Sequence, residues 1–289
     1  MEWLNAVLQG TLLGGLYALL AAGLSLMFGV MRIVNLAHGV LAVLAAYLGV
    51  ILTTTFGIPA FATLIIVVPV MFGVGWLLQM GLLNLSIIRG GLAPILVTFG
   101  LAVVITNLLQ EIFTADFKSI QAGAIATDSI QINDQISVGV FPLLTFCVGV
   151  AVIVALQLFL SRTRSGRAMR ACSDDKDAAL LMGINNRRIY ALATGIAIAT
   201  VGLAGIFLGI RTQFSPTYGD VTLIFAFEAV IIGGLGSLWG TLLGGVVLGI
   251  AQAVGAQINP AYGVLFGHLV FLAILAFRPT GLLPKAVNA

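Results

Sequence analysis

The chain alternates between long apolar runs and a few short polar segments. With one exception, the apolar runs are free of charged residues over lengths that suit membrane helices, which need about 20 residues per crossing. They lie at 3–31, 33–88, 90–110, 135–161, 189–210 and 221–277, the last of which contains only Glu228 as a charged residue. The second run is long enough for two crossings, and the last is long enough for two or three. The pattern therefore predicts an all-α polytopic membrane protein with eight to nine transmembrane helices.

Composition supports this class of protein. Of the 289 residues, 60% are hydrophobic and only 8% are charged, and the mean hydropathy is +1.15. A soluble domain carries roughly a quarter charged residues, so this chain does not have the surface of a water-soluble protein. Glycine pairs that stand four residues apart, such as Gly10/Gly14 and Gly245/Gly249, predict close packing between neighbouring helices.

The densest polar segment, residues 161–188, predicts a folded cytoplasmic lobe. It holds seven of the thirteen Lys and Arg residues, and basic residues favour the cytoplasmic side of a membrane. Ser173 can cap the N-terminus of a helix of about two turns. Gly183 can end that helix in the left-handed conformation, and Asn185 can cap the membrane helix that follows. The alternative is a solvated charged loop that only sets the topology.

The same charge rule predicts the orientation of the chain. If residues 161–188 lie inside, the crossings alternate so that residues 114–134 form a periplasmic loop and the N-terminus lies outside. The basic residues Arg278 and Lys285 then place the C-terminus in the cytoplasm. Because the helix at 189–210 leads to the outside, an odd number of crossings must follow it, and we expect a short or re-entrant helix at 221–232.

Two breaks in the apolar pattern indicate a translocation path. One lies at residues 32–39, and the other is the glycine-rich turn at 233–237. Non-helical backbone within a membrane has to face protein or water, so paired broken helices often mark the route through a transporter. The alternative is that both breaks are ordinary short connections between membrane helices.

Few side chains in the apolar runs are polar enough to act on a solute. Glu228 is a candidate because an ionisable group in a membrane helix is generally functional, the alternative being a partly hydrated carboxylate near the outer end of a re-entrant helix. Asn35 and His38 are candidates for lining the path, with a hydrogen-bonded structural histidine as the alternative for His38. His268 has no acidic neighbour in the sequence and is interpreted as a packing residue.

The sequence contains no recognisable catalytic motif. It has no Walker A sequence, no HExxH, no nucleophile elbow and no clustered carboxylates. Cys147 and Cys172 suggest neither a disulfide framework nor a metal site. The basic segment lacks the interleaved aromatic residues of a nucleic-acid surface. We therefore expect a protein that is not an enzyme and has no cofactor and no nucleic-acid partner, and ATP used for transport would be hydrolysed by another subunit.

Several segments together resemble one family of transporters. The polar segment reads TRSGRAMRA at 163–171 and continues with Asp174, Ala178 and Gly183-Ile184. Further similar segments lie at 5–15, 32–39, 229–240 and 278–281. These segments span essentially the whole chain, which resembles the permeases of the branched-chain (hydrophobic) amino-acid ABC importer family, in particular the shorter of its two permease types.

The resemblance implies a single transmembrane permease domain over residues 1–289 that provides the translocation path for a small solute. Branched-chain or other hydrophobic amino acids are the expected substrates, with urea, short amides or aromatic acids as alternatives. The implied partners are a second, related permease, two cytoplasmic ATP-binding subunits, a periplasmic solute-binding protein and the lipid bilayer of the bacterial inner membrane. A proton-coupled secondary transporter and a non-transport scaffold are the alternative classes.

The resemblance also implies that the polar segment, residues 161–188, couples the permease to an ATPase. The residues expected to do so are Arg164, Gly166, Arg167, Arg170, Asp174, Ala178, Leu180 and Gly183. We further expect an apolar ridge of Ala179, Leu180 and Met182 to be exposed beside these charges, because exposed apolar surface in a polar lobe is typical of a protein contact.

Overall fold

The computed structural model describes residues 2–133 and 136–284, and these residues are mostly helical. The first helices are α1 (Glu2–Met31), α2 (His38–Thr54), α3 (Leu64–Leu78), α4 (Asn84–Arg89), α5 (Ala93–Phe113), α6 (Ala124–Thr127) and α7 (Val140–Arg162). The chain continues with α8 (Arg164–Asp174), α9 (Lys176–Leu181), α10 (Asn186–Arg211), α11 (Tyr218–Gly233), α12 (Leu238–Ile258) and α13 (Gly263–Phe277). Lys285, which entered the orientation argument, lies outside the described residues.

Short irregular elements complete the described part of the chain. A π-helical segment (Gln79–Leu83) joins α3 to α4, and a 3₁₀ turn (Pro260–Tyr262) precedes α13. Two antiparallel strands, β1 (Ser129–Asn133) and β2 (Ile136–Gly139), form a hairpin before α7.

The predicted all-α polytopic membrane class is confirmed. Seven helical stretches among the described residues are long and apolar enough to cross a membrane. They are α1, α3 with its π-helical continuation through α4, α5, α7, α10, α12, and α13 with its preceding 3₁₀ turn. Two shorter helices, α2 with 17 residues and α11 with 16, lie between them in the chain. The α11 helix covers the segment at 221–232 for which a short helix was predicted.

Two helices form the centre of the bundle. Most residues of α1 and α10 are buried, whereas few residues of α5 and α13 are buried. The α1 helix packs chiefly against α12, and a Cβ atom added at Gly14 would lie 2.4 Å from the Cα atom of Val246. Close approach of these two backbones therefore requires glycine, and the prediction of tight packing from the glycine pairs is confirmed.

The two central helices begin structurally similar units. Each is followed by six non-helical residues, 32–37 after α1 and 212–217 after α10, and then by a short helix. The short helices α2 and α11 meet at their second residues, since a Cβ atom added at Gly39 would lie 2.0 Å from the carbonyl oxygen of Gly219. In addition, α10 packs chiefly against α3 as α1 packs against α12. The units α1–α3 and α10–α12 thus have the arrangement of an internal repeat.

Backbone hydrogen bonds support this correspondence. The N–H of His38 donates to the carbonyl of Asn35 at 3.3 Å, and the N–H of Tyr218 donates to the carbonyl of Ser215 at 3.0 Å. Both bonds close a tight turn immediately before the short helix. The units differ in the next connection, because a loop separates α2 from α3 while a tight turn joins α11 to α12.

One sequence prediction is corrected by this arrangement. The break that corresponds to residues 32–39 is the segment 212–217, and not the glycine-rich turn at 233–237. That turn joins α11 to α12, with Gly234 and Gly236 at φ values of 107° and 79°. The apolar pattern did not indicate the true counterpart, because a six-residue interruption between two helices has the same composition as an ordinary surface connection.

Candidate functional site

The lobe, residues 161–188, begins with a sharp turn between α7 and α8. The Thr163 hydroxyl caps α8 by accepting a hydrogen bond from the N–H of Gly166 at 2.9 Å. A Cβ atom added at Gly166 would lie 2.2 Å from the carbonyl oxygen of Phe159, so the turn brings α8 directly against the end of α7. Gly166, a predicted coupling residue, is therefore needed for the shape of the lobe.

A second helix, α9, starts at Asp175. The Asp175 carboxylate accepts hydrogen bonds from the N–H groups of Ala178 at 3.0 Å and Asp177 at 2.9 Å. These two bonds stabilise the charged form, so they hold the pKa of Asp175 below its usual range. The side chain consequently remains an ionised cap at neutral pH.

The predicted role of Ser173 is wrong. Ser173 lies near the C-terminal end of α8, and its hydroxyl donates a hydrogen bond at 2.7 Å to the carbonyl of Gly29 in α1. The lobe therefore contains two helices, α8 and α9, in place of the single helix expected from Ser173 to Gly183. Serine is a residue type that often caps helices, but the contact that Ser173 makes depends on where the C-terminal end of α1 lies.

The predicted end of the lobe is confirmed. Gly183 has a φ of +81°, in the left-handed region, and its N–H donates to the carbonyl of Leu180 at 3.0 Å. The next residue, Ile184, donates to Ala179 at 3.0 Å. Asn185 then caps α10 by accepting a hydrogen bond from the N–H of Arg188 at 3.2 Å.

The surface of the lobe differs in part from the predicted ridge. Leu180 and Met182 are exposed, at 60% and 83%, but Ala179 is buried at 4% and does not belong to an exposed ridge. Leu181 is more exposed than either, at 89%, because α9 ends there and its side chain points away from the bundle. A groove of about 730 Å³ adjoins this surface, between the end of α4 and the start of α10.

Charged residues are exposed elsewhere on the lobe, and Lys176, Asp177 and Arg187 line the same groove as Leu180. Arg164, Asp174 and Ala178 are all exposed. Arg167 donates to the carbonyl of Arg162 at 3.2 Å, and Arg170 donates to that of Ser161 at 3.5 Å. These guanidinium groups thus satisfy the last carbonyls of α7, where cations are favourable.

Two of the candidate path residues lie at the break between α1 and α2. Asn35 and His38 are 2% and 1% exposed, so both face protein. The Oδ1 atom of Asn35 accepts a hydrogen bond from the N–H of Ala37 at 3.0 Å, and Nε2 of His38 donates to the carbonyl of Leu20 at 2.8 Å. Both side chains therefore help to hold the non-helical segment against the middle of α1.

The third candidate, Glu228, lies in α11 and contacts His268 of α13 through its Oε1 atom. The sequence suggested that His268 is a packing residue, but this contact shows that it is not. The two residues stand 40 positions apart on different helices, and only the packing of α11 and α13 brings them together. No hydrogen bond within residues 2–133 and 136–284 links Glu228 to Asn35 or His38.

Long apolar helices, two central breaks followed by short helices that meet at glycines, and a folded polar lobe define a membrane protein of the transport-permease class. Residues 6–275 match the family described as branched-chain amino acid transport system, permease component. The chain belongs to this family, which confirms the resemblance of its segments.

Similar proteins match almost the whole chain. The high-affinity branched-chain amino acid transport system permease protein BraD of Pseudomonas aeruginosa is 30% identical over 302 residues, covering 98% of this chain and 96% of that protein. The corresponding protein LivH of Escherichia coli (strain K12) is 29% identical over 301 residues, covering 99% and 96%. A probable branched-chain amino acid transport permease protein LivH of Methanocaldococcus jannaschii is 27% identical over 292 residues, covering 96% and 91%.

Proposed function

We propose that this chain is the permease subunit of an ABC importer that carries branched-chain or other hydrophobic amino acids across a bacterial inner membrane. The observation that carries this proposal is the match over nearly the full length of relatives named for branched-chain amino acid transport. Partners of the kind this class requires are a second, related permease, two cytoplasmic ATP-binding subunits and a periplasmic solute-binding protein. ATP hydrolysis belongs to the ATP-binding subunits.

The proposed orientation has the N-terminus outside and the C-terminus in the cytoplasm. The lobe at 161–188 then lies in the cytoplasm, and residues 114–134 form a periplasmic loop. Support comes from the basic excess of the lobe, because basic residues favour the cytoplasmic side. The opposite loop carries one lysine, Lys118, which suits the outer side.

In this orientation the lobe is the coupling element that meets an ATP-binding subunit. An exposed apolar surface at Leu180 and Met182, beside a groove that Lys176 and Arg187 also line, is suited to a protein contact. The lobe is also fastened to the bundle, through Ser173 to α1 and through Asn186, whose side chain donates to the carbonyl of Lys176 at 2.7 Å. Movement of the lobe would therefore move the membrane helices with it.

The translocation path is proposed to run beside the two central breaks, with Asn35, His38 and Glu228 along it. Its support is the meeting of α2 and α11 at Gly39 and Gly219, where two short helices begin within the bundle. Helices that begin inside a membrane offer N–H groups and a partial positive charge to a passing solute. These features suit a path for the charged α-carboxylate group of an amino acid.

The function is tested by uptake of radiolabelled leucine into proteoliposomes that contain the complete transporter and its binding protein. We expect uptake to require ATP, to be blocked by vanadate, and to be competed by valine and isoleucine but not by urea. Omission of this chain should abolish uptake. Leucine uptake that persists without this chain, or that vanadate leaves unchanged, contradicts the proposal.

A further inference from the structure

A cluster of polar side chains lies inside the bundle where α1, α11, α12 and α13 meet. One pair is Glu228 with His268, and the other is Tyr17 with Gln252, whose hydroxyl-to-Oε1 distance is 2.5 Å. The ring of Phe225 links the two pairs, with centroids 5.2 Å from Tyr17 and 6.3 Å from His268. Each polar residue stands more than one helical turn from both ends of its helix, so the cluster lies at membrane depth.

Two polar atoms of this cluster are buried without a hydrogen-bond partner among the described residues. They are Oε2 of Glu228, which can only accept when ionised, and Nε2 of Gln252, which can only donate. Buried polar groups are nearly always paired, because an unpaired group within a membrane has no water to replace its partner. A ligand that carries both a donor and an acceptor would satisfy the two atoms together.

The cluster also opens to the surface of this chain. The side chain of His268 is 39% exposed, although that of Glu228 is only 5% exposed. A polar ring at membrane depth is unfavourable against lipid, so this face is suited to protein or to a hydrated route. Exposed residues Val221 and Ile224 stand on the same face of α11 as Glu228, at helical spacing, and extend this open face along the helix.

We propose that this cluster binds the charged head of an amino acid in transit, an inference that rests on the function proposed above. The carboxylate of Glu228 accepts hydrogen bonds from the α-ammonium group, while His268 and the amide of Gln252 donate to the α-carboxylate. The aliphatic side chain of the amino acid lies against Phe225 and Ile224. Without the amino acid, Glu228 and His268 contact each other. The bound zwitterion replaces this contact with two others, one between Glu228 and the α-ammonium group and one between His268 and the α-carboxylate.

Binding is measured on the purified transporter complex without its binding protein, by the Tm in the presence of millimolar ligand. The three probes are leucine, 3-methylbutylamine, which has only the ammonium group, and 4-methylpentanoate, which has only the carboxylate. Leucine should raise the Tm of the wild-type complex because it binds the folded state. Neither probe with a single charge should do so at the same concentration. An equal rise with either of them overturns the proposed recognition of both charges.

The matched variants separate this site from a purely structural contact. In the double variant Glu228→Gln, His268→Gln the two amides can still bond each other, so a contact that only holds α11 against α13 would be preserved. We expect this variant to keep the Tm of the ligand-free complex, to lose the leucine effect, and to raise the KM for leucine uptake by about tenfold or more, since hydrogen bonds to charged groups are lost.

The outcomes also separate this site from the proposed function. If the wild-type complex transports leucine and the double variant keeps its Tm rise and its KM, the cluster is structural and only this inference fails. If the wild-type complex transports no branched-chain amino acid, the proposed function fails and this site fails with it. The single variant His268→Gln should also lose the Tm rise with leucine, because the His268 side chain is the exposed member of the pair.

Discussion

At the scale of single residues, two glycines of the lobe are required for different physical reasons. Gly166 is required by space, because a side chain there would meet the backbone of α7 at Phe159 and Leu160. Gly183 is required by its backbone conformation, since its φ is +81° although nothing lies within 4 Å of an added Cβ atom. The first glycine sets the position of α8, and the second sets the direction in which the chain leaves α9.

The role of Gly183 is tested by a pair of substitutions. Gly183→Val should destabilise the protein by roughly 1–2 kcal/mol, because a β-branched residue is strained in the left-handed region. Gly183→Asn should cost less, because asparagine tolerates that region. The measurement is the Tm of the purified permease, together with ATP-dependent uptake. Equal Tm values for the two variants would show that the left-handed conformation is not needed.

At the scale of elements, the lobe is two short helices that each begin at a side-chain cap and are each fastened to a long helix. The α8 helix is held to α1 by Ser173, and α9 is held to α10 by Asn186. Cys172 of α8 is buried and its thiol donates a hydrogen bond to Oδ1 of Asn186, while burial raises the pKa of that thiol. These contacts fasten the lobe to the membrane helices, so a movement of the lobe would be passed to those helices, as the proposed coupling role requires.

The coupling role predicts a defect in assembly from one charge. Leu180→Asp should insert into the membrane normally but fail to co-purify with the ATP-binding subunits, because it would bury an unpaired charge at the contact. ATP-dependent uptake should be lost as well. Phe56→Asp is the matched control, since Phe56 is 67% exposed in the loop between α2 and α3, and it should retain the ATP-binding subunits. Normal co-purification of Leu180→Asp would exclude α9 from the contact.

At the scale of the whole molecule, α1 and α10 form the centre of the bundle and also connect the bundle to the lobe. Each leads into a six-residue break, and the short helices that follow meet at Gly39 and Gly219. The C-terminal end of α1 also bonds the lobe through Gly29. A shift of the lobe would therefore reach the central breaks along one continuous helix, which connects the proposed site of coupling with the proposed path.

The orientation is tested by thiol labelling of intact cells. In a background of Cys147→Ser and Cys172→Ala, a cysteine introduced by Ser129→Cys should react with an impermeant reagent added outside. One introduced by Asp175→Cys should react only after the membrane is permeabilised. The physical reason is the basic excess of the lobe, which favours the cytoplasmic side. Labelling of Asp175→Cys in intact cells would reverse the proposed topology.

Much of the fold was predictable because it depends on local pattern. Long apolar runs predict membrane helices, since each helix satisfies its own backbone hydrogen bonds and needs only apolar side chains around it. The end of the lobe was predictable for the same reason. Gly183 and Asn185 act on backbone groups within five positions of themselves, and short-range geometry of this kind can be read from the chain.

What the sequence by itself determined is therefore the class of protein, its membrane helices and the C-terminal end of its lobe. The tertiary structure alone decided that Ser173 bonds α1, that the break at 32–37 corresponds to 212–217, and that Glu228 meets His268. Each of these joins residues that are distant in the chain. Such contacts depend on how the helices pack, and in an apolar bundle of glycine-rich helices many packings have similar local patterns, so only the folded arrangement selects one.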